Sequence, residues 1–398
     1  MNNLASEIPG SKPAPSITDT AVMKVFHDLE EIGPAWCKFE KTAVCPVYQR
    51  FDWINSWMSH IGHPSKVSVF IVTAWQNDQL VALWPFGKRV QRGLSTLVWL
   101  GGEHSNFNFG LYNPDLLEQD QAPWLCTKVF EVLKKQSGCQ CLSLNNNPAS
   151  WQGFDNPFLK YSTGAATNDA FSLDLTPGFD TLYNQSSRKR VRKKRRWQER
   201  QLEELGGYTL SRVVEPNEGI HLMDIFAEQK RHRLHQLGIH NVFDDPGVVD
   251  FFNELIKKSP GSGTPLIEFY AVRYKGAVRA IYAGAAFGGQ FSAYFNSFLE
   301  DELSSISPGE LLLGLLIEDR CTRDDRHFDL GVGDERYKHS WSSRRVPLFV
   351  IQEGITQGGK AISLARSKIT AAKHHVRNSK KLWAFAKKIR KHLYRKHV

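Results

Sequence analysis

Ser307 to Lys338 reads SPGELLLGLLIEDRCTRDDRHFDLGVGDERYK, and the order of its parts decides the fold. A polar turn leads into a helix, then a short strand, then a glycine-rich turn. Pro308 belongs in the first turn of a helix, where its missing N–H would have no intrahelical partner. Ser307 stands where an N-cap side chain is expected. A helix that opens on small residues leaves backbone N–H groups facing open space, which predicts a seat for a phosphate or pyrophosphate. HFDLGV, from His327 to Val332, predicts a buried strand with Gly331 and Gly333 at its end. Alternation along that strand turns Asp329 away from Phe328 and Leu330.

Upstream of this stretch lie three apolar β runs, Leu266 to Tyr274, Val278 to Phe287 and Phe291 to Phe298. Gly276 and Gly288-Gly289 mark two hairpin turns between them. Further back, Tyr208 to Val214 reads as a strand and Pro216 to Leu237 as a long helix stopped by Gly238. Pro246 to Lys258 reads as another helix, and Phe179 to Leu205 as one that ends at Gly206-Gly207. Leu348 to Glu353 closes the body with a strand. The first half shows a related order. Lys24 to Ala43 and Phe51 to Ile61 read as helices, and Val67 to Trp75 and Leu80 to Val90 as a hairpin across Gln76 to Gln79. Leu97 to Leu100, a helix from Trp124 to Gln136 and a strand from Cys141 to Asn145 follow. The polar stretch from Pro148 to Asn168 separates the halves. The expected organisation is a disordered segment at 1–20, a first lobe at 21–168, a second lobe at 169–358 and a basic amphipathic helix at 359–398. The fold class is α/β of the α+β kind: two lobes in tandem, each a mixed, mostly antiparallel sheet flanked by helices.

Composition bounds the function. The chain has 398 residues, 41% of them hydrophobic, enough for two cores. Its six cysteines show no zinc or redox spacing, which predicts a reduced, cytoplasmic protein without a metal. No run of about 18 apolar residues predicts a membrane span, and the N-terminus lacks a signal pattern. The net charge of +10 is unevenly placed. Arg188 to Arg196 carries 8 Lys and Arg, and Gly354 to Val398 carries 13 with no Asp or Glu; the remainder stands at −11. Such basic blocks meet phosphate: nucleic acid, anionic lipid or a nucleotide. The spacing of apolar residues from Ile362 to Leu393 suits an anionic membrane surface at the inner face of the membrane, or an acidic groove of the protein's own body.

The Arg188 to Leu205 block, Glu228-Gln229-Lys230-Arg231 with Gly238, the meander reaching Tyr294, SPGELLL, FDLGVGDERYK and Trp341 together resemble the GNAT superfamily acyltransferases. The likeness is to the BioF2-like or CelD-like group of polysaccharide gene clusters, related to the FemABX peptidyltransferases. It is strongest from about Ser186 to Trp341 and extends more weakly to the first lobe through Trp84-Pro85-Phe86 and Gly101-Gly102. The resemblance implies two GNAT-like folds in tandem. It also implies an acyl-CoA co-substrate whose pantetheine lies between two splayed parallel strands, here Phe291 to Phe298 and Arg326 to Val332. Its pyrophosphate would meet the helix start at Ser304 to Glu310. The usual loop, Arg/Gln-x-x-Gly-x-Gly/Ala, is altered here: Ser307 takes the first glycine position and only Gly309 remains.

Transfer of an acyl group to an amine needs alignment, a proton acceptor and stabilisation of the oxyanion. Under the resemblance, Ser305, Ser307, Gly309 and Glu310 border the phosphate seat; the plainer reading of Ser307 and Glu310 is an N-cap with a dipole-matching acid. Asp329 is a proton acceptor or a partner for Arg326 or Lys338. Tyr294 is a proton donor to the departing thiolate or a packed aromatic. His327 is a further candidate base. Asp334, Tyr337 and Lys338 line an acceptor pocket, with Lys338 also suited to an anionic donor or sugar phosphate. Glu228, Arg231 and His232 flank the acceptor or form a solvated helix face. Three functions stay open: acyl-CoA-dependent N-acyltransfer to an amine acceptor such as an amino sugar in polysaccharide biosynthesis, FemABX-like transfer from aminoacyl-tRNA, and non-catalytic binding of nucleic acid or an anionic membrane.

Overall fold

A computed structural model describes residues 21–258, 265–323 and 325–363. The expected disordered segment at 1–20 and the basic helix beyond residue 363 lie outside the described residues. Two mixed sheets organise the rest. The first holds β1 (Val22–Phe26), β2 (Val67–Gln76), β3 (Gln79–Gln91), β4 (Leu94–Trp99), β5 (Leu111–Tyr112) and β6 (Cys141–Pro148). A small hairpin, β7 (Ser150–Trp151) and β8 (Phe154–Asp155), leads out of it; β9 (Gly164–Ala165) returns to its edge. The second sheet holds β10 (Ala170–Asp174), β11 (Thr209–Val213), β12 (Glu268–Tyr274), β13 (Ala277–Phe287), β14 (Gln290–Phe298), β15 (His327–Val332) and β16 (Arg344–Val346). In space it runs β11-β12-β13-β14-β15-β10-β16.

The helices are α1 (Leu29–Phe39), α2 (Phe51–Trp57), α3 (Ala122–Gln136), α4 (Phe179–Asn184), α5 (Lys189–Glu204), α6 (Pro216–Leu237), α7 (Val248–Lys257), α8 (Pro308–Cys321) and α9 (Lys338–Trp341). Three readings of the chain change here. Lys24 to Ala43 is not one helix: β1 pairs antiparallel with β2 from Val22 to Phe26, and Asp28 then caps α1 by accepting from the Glu30 N–H. The strand hides from a sequence reading because it is an edge strand with only partial burial. Phe179 to Leu205 is broken at Gln185, so the basic block starts its own helix, α5. Pro148 to Asn168, expected as loop, contains β7, β8 and β9 as well.

The final strand, β17 (Leu348–Gly354), lies in the first sheet, antiparallel to β6, although chain order groups it with the second half. Two segments therefore cross between the sheets side by side. Phe349 and Val350 pair with β9, while Ala170 to Ser172 of β10 pair with β16. The first lobe thus finishes its sheet with a strand from the second half of the chain.

One core runs through both lobes. Tyr48 and Trp53 of the first lobe meet Phe251, Phe252 and Tyr294 of the second, with ring centroids 5.0 to 6.1 Å apart across the cluster. Full burial of each such ring is worth about 1.5–3 kcal/mol. On the other face of the second sheet, Phe291, Phe328 and Leu330 pack with Leu312, Leu313, Leu316 and Ile317 of α8. No described helix is long and apolar enough to cross a membrane.

Candidate functional site

β14 and β15 run parallel and pair only at Gln290 with His327, Phe291 with Phe328 and Ser292 with Asp329. Beyond that point they part. At the parting, β14 carries a bulge: Gly284 faces Ala293 and Ala283 faces Phe295, which leaves Tyr294 as the extra residue. A strand that leaves its ladder has carbonyls to satisfy. Here two lysines do it, one on each lip. Lys230 Nζ of α6 donates to the Asn296 carbonyl of β14 at 3.3 Å. Lys338 Nζ donates to the Val332 carbonyl of β15 at 3.0 Å and pairs with Glu335 at 2.7 Å. The space between is a cavity of about 160 Å³, lined by Lys230, Lys338, Tyr337, Asn296, Tyr282 and, from the first lobe, Asn106.

Asp329 sits at the apex of this fork and is almost fully buried. One carboxylate oxygen accepts from the Gly331 N–H at 2.7 Å; the other has no hydrogen-bond partner among the described residues. Burial raises its pKa to about 7, against the opposing pull of the Gly331 N–H and of Lys338. Its side chain lines a second cavity of about 430 Å³ between the lobes, with Trp151, Arg344 and Arg326. His327 lines the same cavity but is exposed, two residues before Asp329, at the closed end of the fork. Tyr294 lines the fork cavity, yet its hydroxyl donates to the His104 carbonyl at 3.1 Å. It is packed among the inter-lobe aromatics, and burial drives its pKa far up. His104 in turn takes the Trp57 indole N–H at 3.2 Å, and burial lowers its pKa to about 4.

The start of α8 differs from the expected row of free amides. Ser307 has φ 60° and makes no side-chain cap. The Ser307 N–H donates to Ser304, and those of Glu310 and Leu311 donate to Ser307. Gln198 of α5 donates to the Ile306 and Ser307 carbonyls at 2.7 and 3.0 Å. Lys194 holds Glu310 at 2.6 Å and reaches the Ser307 hydroxyl at 3.4 Å. A short 3₁₀ segment, Glu302–Ile306, precedes the helix; the Ser307 N–H closes onto it, and the Glu310 and Leu311 N–H groups share the Ser307 carbonyl. Of the residues expected to bind phosphate, Ser305 is exposed, Gly309 lies against Phe298, and Ser307 and Glu310 are engaged by Lys194.

Positive charge comes instead from α5. Its basic run divides in two. Arg188 is buried and donates to Leu182 and Trp341 carbonyls; Arg192 ties the Tyr183 and Gln185 carbonyls; Arg195 pairs with Glu199 and Glu318. These three, with Lys194, pin α5 to its neighbours. Among the described residues, the side chains of Lys189, Arg190, Lys193 and Arg196 make no hydrogen bond or ion pair. A groove of about 590 Å³ opens between α5, α8 and α9, with Arg190, Lys194 and Arg336 on its walls and Gly314 and Trp341 among its other residues. Tyr337 lines both this groove and the fork cavity.

The remaining expected site residues divide likewise. Tyr337 and Lys338 reach the fork. Asp334 is exposed and pairs with His339 at 2.7 Å. Glu228 and Arg231 pair with each other on the solvent face of α6, and Arg231 also holds Asp244. The α6 residue that does reach the fork, Lys230, was legible in part: it continues the buried stripe of Met223, Phe226 and Ala227 at helical spacing. No group of His, Cys, Asp and Glu suited to a metal occurs among the described residues.

Residues 186–339 match the family described as acetyltransferase (GNAT) domain. No curated protein matches the sequence. Among solved structures the chain is similar to FemX, with a TM-score of 0.54 at 9% identity over 83% of this chain and 96% of that one. It is also similar to a conserved protein of unknown function from Bacteroides thetaiotaomicron VPI-5482, with a TM-score of 0.51 at 10% identity over 81% of this chain and 96% of that one. A tandem GNAT protein from the clavulanic acid biosynthesis pathway aligns at 10% identity over 84% of this chain and 99% of that one, with a TM-score of 0.45. The fold is mixed α/β in two sheet-and-helix lobes, and the acetyltransferase (GNAT) match falls on the second.

Proposed function

We propose that the chain is an acyltransferase whose chemistry occurs in the fork between β14 and β15, with an acyl-CoA as donor and an amine as acceptor. The observation that carries this reading is the adjacency of two spaces that share Tyr337 in their walls. A basic groove of about 590 Å³ meets, at Tyr337, a cavity that enters the gap between two parallel strands. A nucleotide-linked thioester needs both: cations for its phosphates, and a narrow slot for its arm. The acetyltransferase family match over residues 186–339 supports the same reading. In it, Arg190, Lys194 and Arg336 meet the phosphates, in place of the Glu310 and Leu311 amides, which bond the Ser307 carbonyl. The arm passes Tyr337, and the thioester carbonyl comes to rest beside the Tyr294 bulge.

The amine nitrogen then attacks the thioester carbon, the C–S bond breaks with its electron pair leaving on the CoA thiolate, and the amine proton passes to the ionised Asp329 carboxylate. A carboxyl titrating near neutrality suits that task. An amino sugar of a surface polysaccharide is the acceptor we favour within this reading, after the resemblance to the CelD-like group. Calorimetric titration with acetyl-CoA tests the donor. Binding below about 100 μM, weakened about tenfold or more by the pair Arg190→Glu and Arg336→Glu, is expected. Unchanged binding in that double variant removes the groove from the account.

One observation favours aminoacyl-tRNA as the donor instead. Lys189, Lys193 and Arg196 are cations without partners among the described residues, and they lie outside the lining of the groove. A longer polyanion would use them. Tight tRNA binding that falls steeply with salt, together with no binding of acetyl-CoA, would select that donor.

A further inference from the structure

The two lysines of the fork carry more than the task of closing off carbonyls. Lys230 has no carboxylate within ion-pairing distance among the described residues; its one hydrogen bond goes to the neutral Asn296 carbonyl. It is only partly covered and lines the cavity. Lys338 is nearly fully buried and shares Glu335. Burial depresses the Lys230 pKa, Arg233 and Lys338 add to that, and Glu335 pulls the other way. Asp329 is near Lys338, but its pKa near 7 leaves it charged only in part at neutral pH. Two cations therefore line a space of about 160 Å³ against one carboxylate, Glu335, which already pairs with Lys338. A half-buried ammonium whose nearest carboxylate is already paired with a second lysine is costly, and a neutral occupant would make it costlier by displacing water.

We infer that the occupant of the fork carries a carboxylate, held between Lys230 and Lys338, and that Lys230 selects for it. This rests on the proposed transfer site only in treating the occupant as a reactant; the binding of a carboxylate there does not depend on which donor is used. Two reactants are able to bring that group: the acyl chain, as in a dicarboxylic monothioester, or the amine, as in an amino acid. A 160 Å³ cavity takes a short chain in either case.

The test uses the full chain and two matched pairs in calorimetric titrations: succinyl-CoA against butyryl-CoA, and β-alanine against propylamine. The carboxylate member of at least one pair is expected to bind about tenfold or more tighter than its neutral partner, the scale of one charge-assisted hydrogen bond in a desolvated site. Lys230→Met and Lys230→Gln, each checked for native circular dichroism, should abolish that preference while leaving the neutral partner's affinity within about twofold. A preference in the first pair places the carboxylate on the donor, and in the second on the acceptor. Equal binding within both pairs, a preference that survives both variants, or no binding by any of the four compounds overturns the inference. β-Alanine binding that depends on Lys230, without binding of either CoA ester, would keep the inference and retire acyl-CoA as donor.

Discussion

Each lobe contains a fork between two parallel strands, and only one of the two forks is hollow. In the first lobe, β4 and β6 pair at Thr96 with Cys141 and Leu97 with Leu142. Where β6 goes on, the segment after β4 comes back to meet it. Asn108 donates from its backbone to Asn146 and from its side chain to the Asn145 carbonyl, at 3.0 and 3.1 Å. Asn146 returns a bond to the Ser105 carbonyl at 3.1 Å. Phe107 and Phe109 are buried, and Trp99 donates to Asn147 at 3.0 Å. In the second lobe the carbonyls at the lips are met by lysine ends that arrive from the sides, and the middle stays empty. The difference teaches what makes a ligand site from this topology. The parting of the strands alone does not do it. The unpaired backbone must be satisfied by groups that leave the gap unfilled.

The contrast can be broken most strongly at Asp329. Asp329→Asn should lower the transfer rate by about 10²–10⁴-fold if it takes the amine proton. Its effect on stability runs the opposite way. The folded pKa of about 7 lies above an unfolded value near 3.9, so the native state holds the proton longer than the unfolded state does. Wild-type stability should therefore fall as pH rises from about 4 to about 7, and remain lower above that. The Asn variant should lack this slope and match or exceed wild type at pH 8 in chemical denaturation. A variant with full activity, or a parallel pH slope, would take Asp329 out of the site.

Next in size is Lys338→Met, which leaves the partly buried Val332 carbonyl without its donor. A cost of about 1–3 kcal/mol is expected in urea titrations, with a large loss of transfer. Asn108→Ala is the matching change in the filled fork. It should cost about 1–2 kcal/mol in the same titrations while the affinity for donor stays within about twofold. Loss of donor affinity there would mean that the filled fork contributes to binding after all. The smallest effect is expected at Ser305, which is exposed. Ser305→Ala should change stability by no more than about 0.5 kcal/mol and leave donor affinity alone. A drop in affinity would restore the helix start as the phosphate seat.

Local chemistry was legible in the residues. Gly276 and Gly288-Gly289 set the turns of the β12 to β14 meander, and Pro308 opens α8, because φ preference and the missing N–H act within a few residues. Alternation placed Asp329 opposite the packed Phe328 and Leu330. What escaped was long-range. β17 carries no mark of which sheet it will join, since a strand's partner is chosen by tertiary packing. Ser307 looked like a cap because nothing near it announces Gln198 and Lys194, which arrive from more than 100 residues away. Lys230 stands between these cases. Its place on a buried stripe was readable, but its role was not, because the carbonyl it meets is exposed only when β14 leaves β15.

Hydrogen–deuterium exchange of the full chain with and without acetyl-CoA tests the two-fork contrast most directly. The account predicts slowed exchange in Ala293 to Phe298, in Leu330 to Lys338 and along α5, with no change in Ser105 to Phe109 or β6. Protection confined to Ser105 to Phe109 and β6, with none around Lys230 and Lys338, would contradict it.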